Sequence, residues 1–129
     1  MKVNAIVLLV RNFEKCANFY KDVLNLKVKN KDEGFIAFEL EGDQEMAVMS
    51  LEAASKMIST EVINPEKHGE HRILLAMFVQ DTDKTYKEFR AKGVTFVKPP
   101  TTQPWGQRTA YFKDPEDNLW EISHFISKE

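Results

Sequence analysis

The sequence predicts an α+β domain built from two β-α-β-β-β halves, and three observations carry that prediction. Two dense apolar runs of strand length, residues 3–10 (VNAIVLLV) and 73–79 (ILLAMFV), are each followed by a helix-capping residue and a stretch with helical spacing. After each helical stretch come further short apolar segments divided by turn residues. At 129 residues, the chain is long enough for one self-sufficient core and too short for two.

The first run is rich in β-branched and aliphatic residues and stops at Arg11-Asn12, as a buried strand does. Asn12 is a good N-cap, and Phe13, Cys16, Ala17, Tyr20, Val23 and Leu24 follow at three- and four-residue steps, predicting an amphipathic helix that ends near Asn25. Residues 26–31, 35–40 and 46–51 read as three strands, separated by Asp32-Glu33-Gly34 and Glu41-Gly42-Asp43. Residues 52–70 form a looser connection, with a short helix expected over 52–58 and exposed turns at Asn64-Pro65 and His68-Gly69. After the second run, Asp81 caps a helix whose apolar face holds Tyr86 and Phe89 and which stops at Gly93. Residues 94–97 read as a strand, 98–103 (KPPTTQ) as a proline loop, and 108–112 and 118–125 as strands flanking Asp114-Pro115-Glu116-Asp117. The expected organisation is one domain: module one at 1–52, a linker at 53–70 and module two at 71–129. A constant offset brings Val10 onto Val79, Asn12 onto Asp81, Lys15 onto Lys84 and Tyr20 onto Phe89, which favours an internal duplication.

Composition narrows the function. With 18 Lys+Arg against 20 Asp+Glu, there is no general basic field to hold phosphates, so nucleic acid is not expected as a partner. The apolar N-terminal run is too short to cross a bilayer, and no membrane partner is expected. One cysteine, Cys16, excludes an intrachain disulfide framework and Cys-rich zinc modules; it fits a reducing, cytoplasmic setting. His68, His71 and His124 are the only imidazoles, so a metal site has few donors to draw on.

Two stretches carry a family resemblance. The first strand running into Arg11-Asn12, followed by FYKDVL at residues 19–24 and Leu26, resembles the opening of vicinal oxygen chelate proteins. That group includes glyoxalase I, fosfomycin and bleomycin resistance proteins and extradiol dioxygenases. Trp105-Gly106-Gln107-Arg108 followed by FKDPEDNLWEI at 112–122 is similar to the family's final hairpin. The resemblance implies two βαβββ modules whose mixed sheet forms a cup with helices on its convex face, ligand on the concave face and, commonly, a homodimer.

In metal-using members of the family, an ion is held by residues from the first and last strand of each module. By resemblance, those positions fall on Ala5, Ser50, Leu74 and Glu121, of which only Glu121 is a normal ligand. No metal and no cofactor are therefore expected. His68 and His71 are too few for a tetrahedral zinc site, and strand alternation turns His124 away from Glu121.

Alternation places Leu119 and Ser123 beside Glu121, and Arg72, Ala76 and Phe78 beside Leu74, in a mostly apolar cup with one acid. Glu121 is the candidate catalytic residue, as a general base, or alternatively the anchor for a cationic group; Arg108 and Arg72 are candidate ion-pair partners for it. Trp105, Arg108, Tyr111, Phe38, Phe78, Ser50 and Leu74 are the candidate ligand-binding residues, while the aromatics among them suit core or dimer interface equally. The expected function is metal-independent binding of an aromatic or hydrophobic small molecule. The alternative is a metal-dependent lyase, isomerase or dioxygenase of glyoxalase type with an atypical site, and a third reading is a dimeric scaffold without ligand.

Overall fold

In the computed structural model, residues 2–66, 73–113, 115 and 118–126 are described. The elements are β1 (Lys2–Val10), α1 (Phe13–Asn18) continued by a π-helical turn (Phe19–Val23), β2 (Val28–Asp32), β3 (Phe35–Glu39) and β4 (Glu45–Ser50). After α2 (Leu51–Met57) come β5 (Ile73–Phe78), α3 (Thr82–Ala91), β6 (Thr95–Thr102), β7 (Gln107–Lys113) and β8 (Leu119–Phe125). The eight strands form one mixed sheet in the order β2-β3-β4-β1-β5-β8-β7-β6. β1 runs parallel to β4 and β5 parallel to β8, while the remaining neighbours, including the central β1–β5 pair, are antiparallel. Each half therefore repeats the same strand order outward from the centre, and the fold is α+β with two βαβββ modules.

Side-chain alternation divides the sheet into two faces. On the outer face, α1 lays Ala17 over Ile36, Phe38 and Val48, and α3 covers Ala110, Phe112 and Ile122 with Phe89 and Trp120 alongside. On the inner face, Val7, Leu9, Ala37, Ala47, Met49, Leu74, Tyr111 and Leu119 pack against Leu51, Ala54, Ile58 and Ile63 from α2 and the turns after it. Full burial of each large aliphatic side chain contributes about 1.5–3 kcal/mol of transfer free energy. Residues 51–63 thus cover one end of the sheet's inner face, a role their loose sequence pattern does not reveal.

Two predicted elements differ. The first helix does not run evenly to Asn25: the N–H of Leu24 bonds to the carbonyl of Phe19 at 3.1 Å, five residues back, giving a π turn. The extra residue rotates the apolar stripe, so Phe13, Cys16 and Tyr20 pack while Val23 and Leu24 are exposed. The proline loop at 98–103 is instead strand β6 through Thr102. β6 lies at the sheet edge, and its register against β7 shifts between Lys98 and Thr101, where Pro99 and Pro100 need donate nothing to the ladder. Among the described residues, no helix is long and apolar enough to cross a membrane.

Candidate functional site

The caps that launch the helices follow the sequence. Asn12 Oδ1 accepts from the Lys15 N–H at 3.2 Å, and Asp81 Oδ1 from the Lys84 N–H at 3.1 Å. β1 and β5 pair at the centre of the sheet, and cross-strand register aligns Ala5, Ala76, Glu121 and Tyr111 in one row over β1, β5, β8 and β7. Alternation from Leu74, Leu119 and Tyr111 puts this row on the inner face.

Tyr111 is fully buried, and its hydroxyl donates to Glu121 Oε2 at 2.6 Å, the short range of a charge-assisted bond. Glu121 is surrounded by protein yet keeps partial contact with water. Burial pushes its carboxyl up to about 7, and the bond from Tyr111 offsets only part of that rise. The Tyr111 phenol is pushed well above its ordinary 10, first by burial and then by the neighbouring carboxylate. Among the described residues, Tyr111 is the only hydrogen-bond partner of Glu121, and no cation faces it. A carboxyl so placed acts as a proton acceptor near neutral pH or as a receptor for a positive charge.

Further along the inner face, Ser123 pairs with both Phe78 and Thr109 and is buried. Gln103 Nε2 donates to Thr109 Oγ1 at 2.9 Å and closes that side. Phe78 meets Phe125 with ring centroids 5.6 Å apart, and Phe125 remains 65% exposed. Trp105 is also exposed, its indole N–H donating to Gln107 Oε1 at 2.7 Å.

Several candidate residues lie elsewhere. Phe38 is on the outer face, sealed under α1 with its ring 6.2 Å from Tyr20, because alternation turns its neighbour Ala37 inward. Arg108 also points outward. Its Nε and Nη2 donate to the two carboxylate oxygens of Asp83 at 3.0 and 2.9 Å, tying β7 to α3. This fork holds the Asp83 carboxyl below its ordinary range, and the Arg108 guanidinium rises in turn. Arg108 is thus not the partner of Glu121; Arg72 lies outside the described residues. Leu74 is buried in the inner cluster beside Leu119.

Ser50 is the N-cap of α2, its Oγ accepting from the Ala53 N–H at 3.0 Å. It pairs with Val10, five residues along β1 from the row of Glu121, or roughly 16 Å at strand rise. The two modules identify the true counterpart of Glu121. The offset that brings Val10 onto Val79 brings Val7 onto Ala76, and their partners are Ala47 and Glu121. Ala47, not Ser50, therefore stands at the equivalent position.

Ala5, Ala47 and Leu74 carry no donor atom and the Ser50 hydroxyl is engaged, so Glu121 faces these positions as a single carboxylate. That donor set does not fit a divalent ion. Among the described residues, no group of three or more His, Cys, Asp or Glu is arranged to hold one. His68 and His71 lie outside the described residues. His124 belongs to the outer face, where its Nδ1 accepts the Thr82 N–H at 2.9 Å at the start of α3.

Sequence reading missed Phe125 and the direct bond from Tyr111 to Glu121. The antiparallel pairing of β7 with β8 sets those two residues opposite each other, and the equal spacing of the two apolar runs about their connection is the signal that would have found the pair.

A cupped α+β sheet carrying a carboxylate from the last strand is the arrangement the closing hairpin implied. The profile of the Glyoxalase/Bleomycin resistance protein/Dioxygenase superfamily matches residues 2–122, and the chain belongs to that superfamily. It is 34% identical over 125 residues to the uncharacterized protein YraH of Bacillus subtilis (strain 168), covering 95% of this chain and 97% of that one. Among solved structures, it resembles one described as an NAD-dependent benzaldehyde dehydrogenase from Legionella pneumophila: TM-score 0.72, 21% identity, 95% of this chain and 98% of that chain. It also resembles a hypothetical protein from Bacillus halodurans C-125, at a TM-score of 0.66 and 20% identity, covering 99% and 95% of the two chains. At such identities, these structures speak for the fold alone.

Proposed function

We propose that the protein is a metal-independent small-molecule binding protein of this superfamily, taking an aromatic or hydrophobic ligand on the inner face beside Glu121. The observation that carries this reading is the Glu121 carboxyl itself. It is drawn out of water, held by one buried tyrosine, and faced by no cation among the described residues. Carboxylates left so poorly compensated concentrate at sites of function. Phe78, Phe125 and Trp105 supply flat apolar surface at the open side, and alanines rather than metal ligands stand at Ala5 and Ala47. The single thiol supports a cytoplasmic setting. Exposed Ile6 and Ile73 on the outer face support a homodimer, which sedimentation equilibrium tests.

A panel of aromatic compounds tests the binding function by thermal shift, because a ligand of the native state raises its apparent stability by mass action. Metal analysis of the purified protein tests the other half. Stoichiometric Zn, Ni, Mn or Fe that is retained by the wild type and lost in Glu121→Ala contradicts metal independence.

One observation favours a second reading. A carboxyl titrating at about 7 is poised as a general base, so Glu121 is the catalytic residue if the protein is an enzyme. A turnover rate that rises through pH 7 and is abolished in Glu121→Gln marks that case.

A further inference from the structure

We infer that the ligand of this site carries an organic cation, a protonated amine or guanidinium, which lands on Glu121 while its apolar body lies toward Phe78 and Phe125. The inference rests on the proposed binding site and specifies its chemistry. Four observations carry it. Glu121 has two carboxylate oxygens, and the described protein fills only one of them: Oε2 takes the Tyr111 hydroxyl. The positions next to Glu121 in its row, Ala76 and beyond it Ala5, are methyl-bearing and offer neither donor nor charge. The nearest arginine on the neighbouring strand, Arg108, is committed to Asp83 on the opposite face. Lys98, which pairs with Tyr111, sends its Nζ to the carbonyl of Met57 at 2.8 Å.

Desolvating a carboxylate without a counter-charge is costly, and a cation that arrives with the ligand removes that cost on binding. The aromatic pair lies on the same face: Phe78 pairs with Ser123, two residues from Glu121 or roughly 7 Å along the strand, and Phe125 lies beyond it. A ligand with a charged head and a flat tail suits that separation. A neutral or anionic head of the same shape leaves Oε1 without a counter-charge or repels it.

The test compares benzylammonium, benzyl alcohol and benzoate, followed by ligand-observed NMR titration of the whole protein at pH 8. The expected result is that benzylammonium binds at least about tenfold tighter than benzyl alcohol, the advantage of a charge-assisted bond, and that benzoate binds weakest. Glu121→Gln should erase the preference for the amine over the alcohol. Should that variant fail to fold, the wild type alone decides. Its preference for the amine should shrink as pH falls from 8 to 6, because Glu121 takes up a proton while the amine keeps its own. Equal binding of amine and alcohol, or a preference that does not change with pH, overturns the cationic inference and leaves an apolar site standing. No binding by any of the three, nor by larger aromatic compounds, overturns the binding function on which the inference rests. Displacement of benzylammonium by micromolar Zn²⁺ with retention of the metal overturns it in favour of an inorganic cation.

Discussion

Replacing Glu121 with Gln is expected to make the protein more stable above pH 7 and to remove a pH dependence that the wild type shows. The unfolded side chain titrates near its ordinary 4.5, whereas in the fold it titrates at about 7. Below pH 4.5 both states hold the proton, and nothing is lost. Between those values only the folded state holds it, so stability falls as pH rises, and above 7 the loss is complete. The gap corresponds to about 2–3 kcal/mol, since each pKa unit is worth about 1.4 kcal/mol and partial contact with water trims the total. Asp43 and Asp83, whose carboxyls are lowered, act below this window, and Lys29 and Tyr111 act above it. Subtracting the profile of the variant from that of the wild type cancels the histidines. Glutamine keeps an oxygen for the Tyr111 hydroxyl, so the change isolates the charge. Urea unfolding at pH 5 and pH 8 is the assay. The midpoint difference between variant and wild type should grow by roughly 1 M between the two pH values, taking a slope of about 2 kcal/mol/M. Parallel profiles for the two proteins would refute the idea that Glu121 is desolvated in the fold.

Three other perturbations have definite outcomes. Tyr111→Phe removes the one hydrogen bond that favours the ionised carboxylate, so the stability transition assigned to Glu121 should move above pH 7, read from the same urea series. Gly34 and Gly42 both have positive φ, 70° and 81°, but a Cβ at Gly34 meets Ser50 Oγ at 2.8 Å and Ala53 Cβ at 3.3 Å, while one at Gly42 meets open space. Gly42→Ala should cost about 1 kcal/mol from backbone strain alone and Gly34→Ala clearly more, because the added methyl disturbs the cap of α2; equal losses in chemical denaturation contradict the close approach. His124→Ala strips the acceptor from the N–H of Thr82, a fully buried residue, and should cost about 1–3 kcal/mol, with faster hydrogen exchange at the start of α3.

Much of this molecule is legible without coordinates because local chemistry and global topology agree. The runs that became β1 and β5, the caps Asn12 and Asp81 and the closing hairpin all act over a few residues. Where longer-range geometry decides, the sequence is silent. Phe38 and Ala37 are adjacent apolar residues, and only the pairing of β3 with β4 determines which one faces α1. Pro99 and Pro100 read as loop residues because their tolerance depends on β6 having no outer neighbour. The family resemblance puts the last-strand position of module one on Ser50, whereas the pairing of Val7 with Ala47 fixes the equivalent of Glu121. The inward orientation of Glu121 follows from alternation alone, yet its tie to Tyr111 instead of Arg108 needs the register of a hairpin.

The antiparallel junction of β1 and β5 also shapes how the chain is made. β1 is a central strand, flanked by β4 from its own module and β5 from the other. When a ribosome has delivered residues 2–50, β4 is available but β5 is not, so one side of an apolar strand stands open as a template for pairing. At about 5–20 residues per second, the wait for Ile73 to Phe78 lasts on the order of seconds. The α2 segment emerges first, and Leu51, Ala54 and Ile58 reach Val7 and Leu9 before β5 exists. α2 thus covers the inner face of the half-built sheet, while the edge of β1 stays open until β5 arrives.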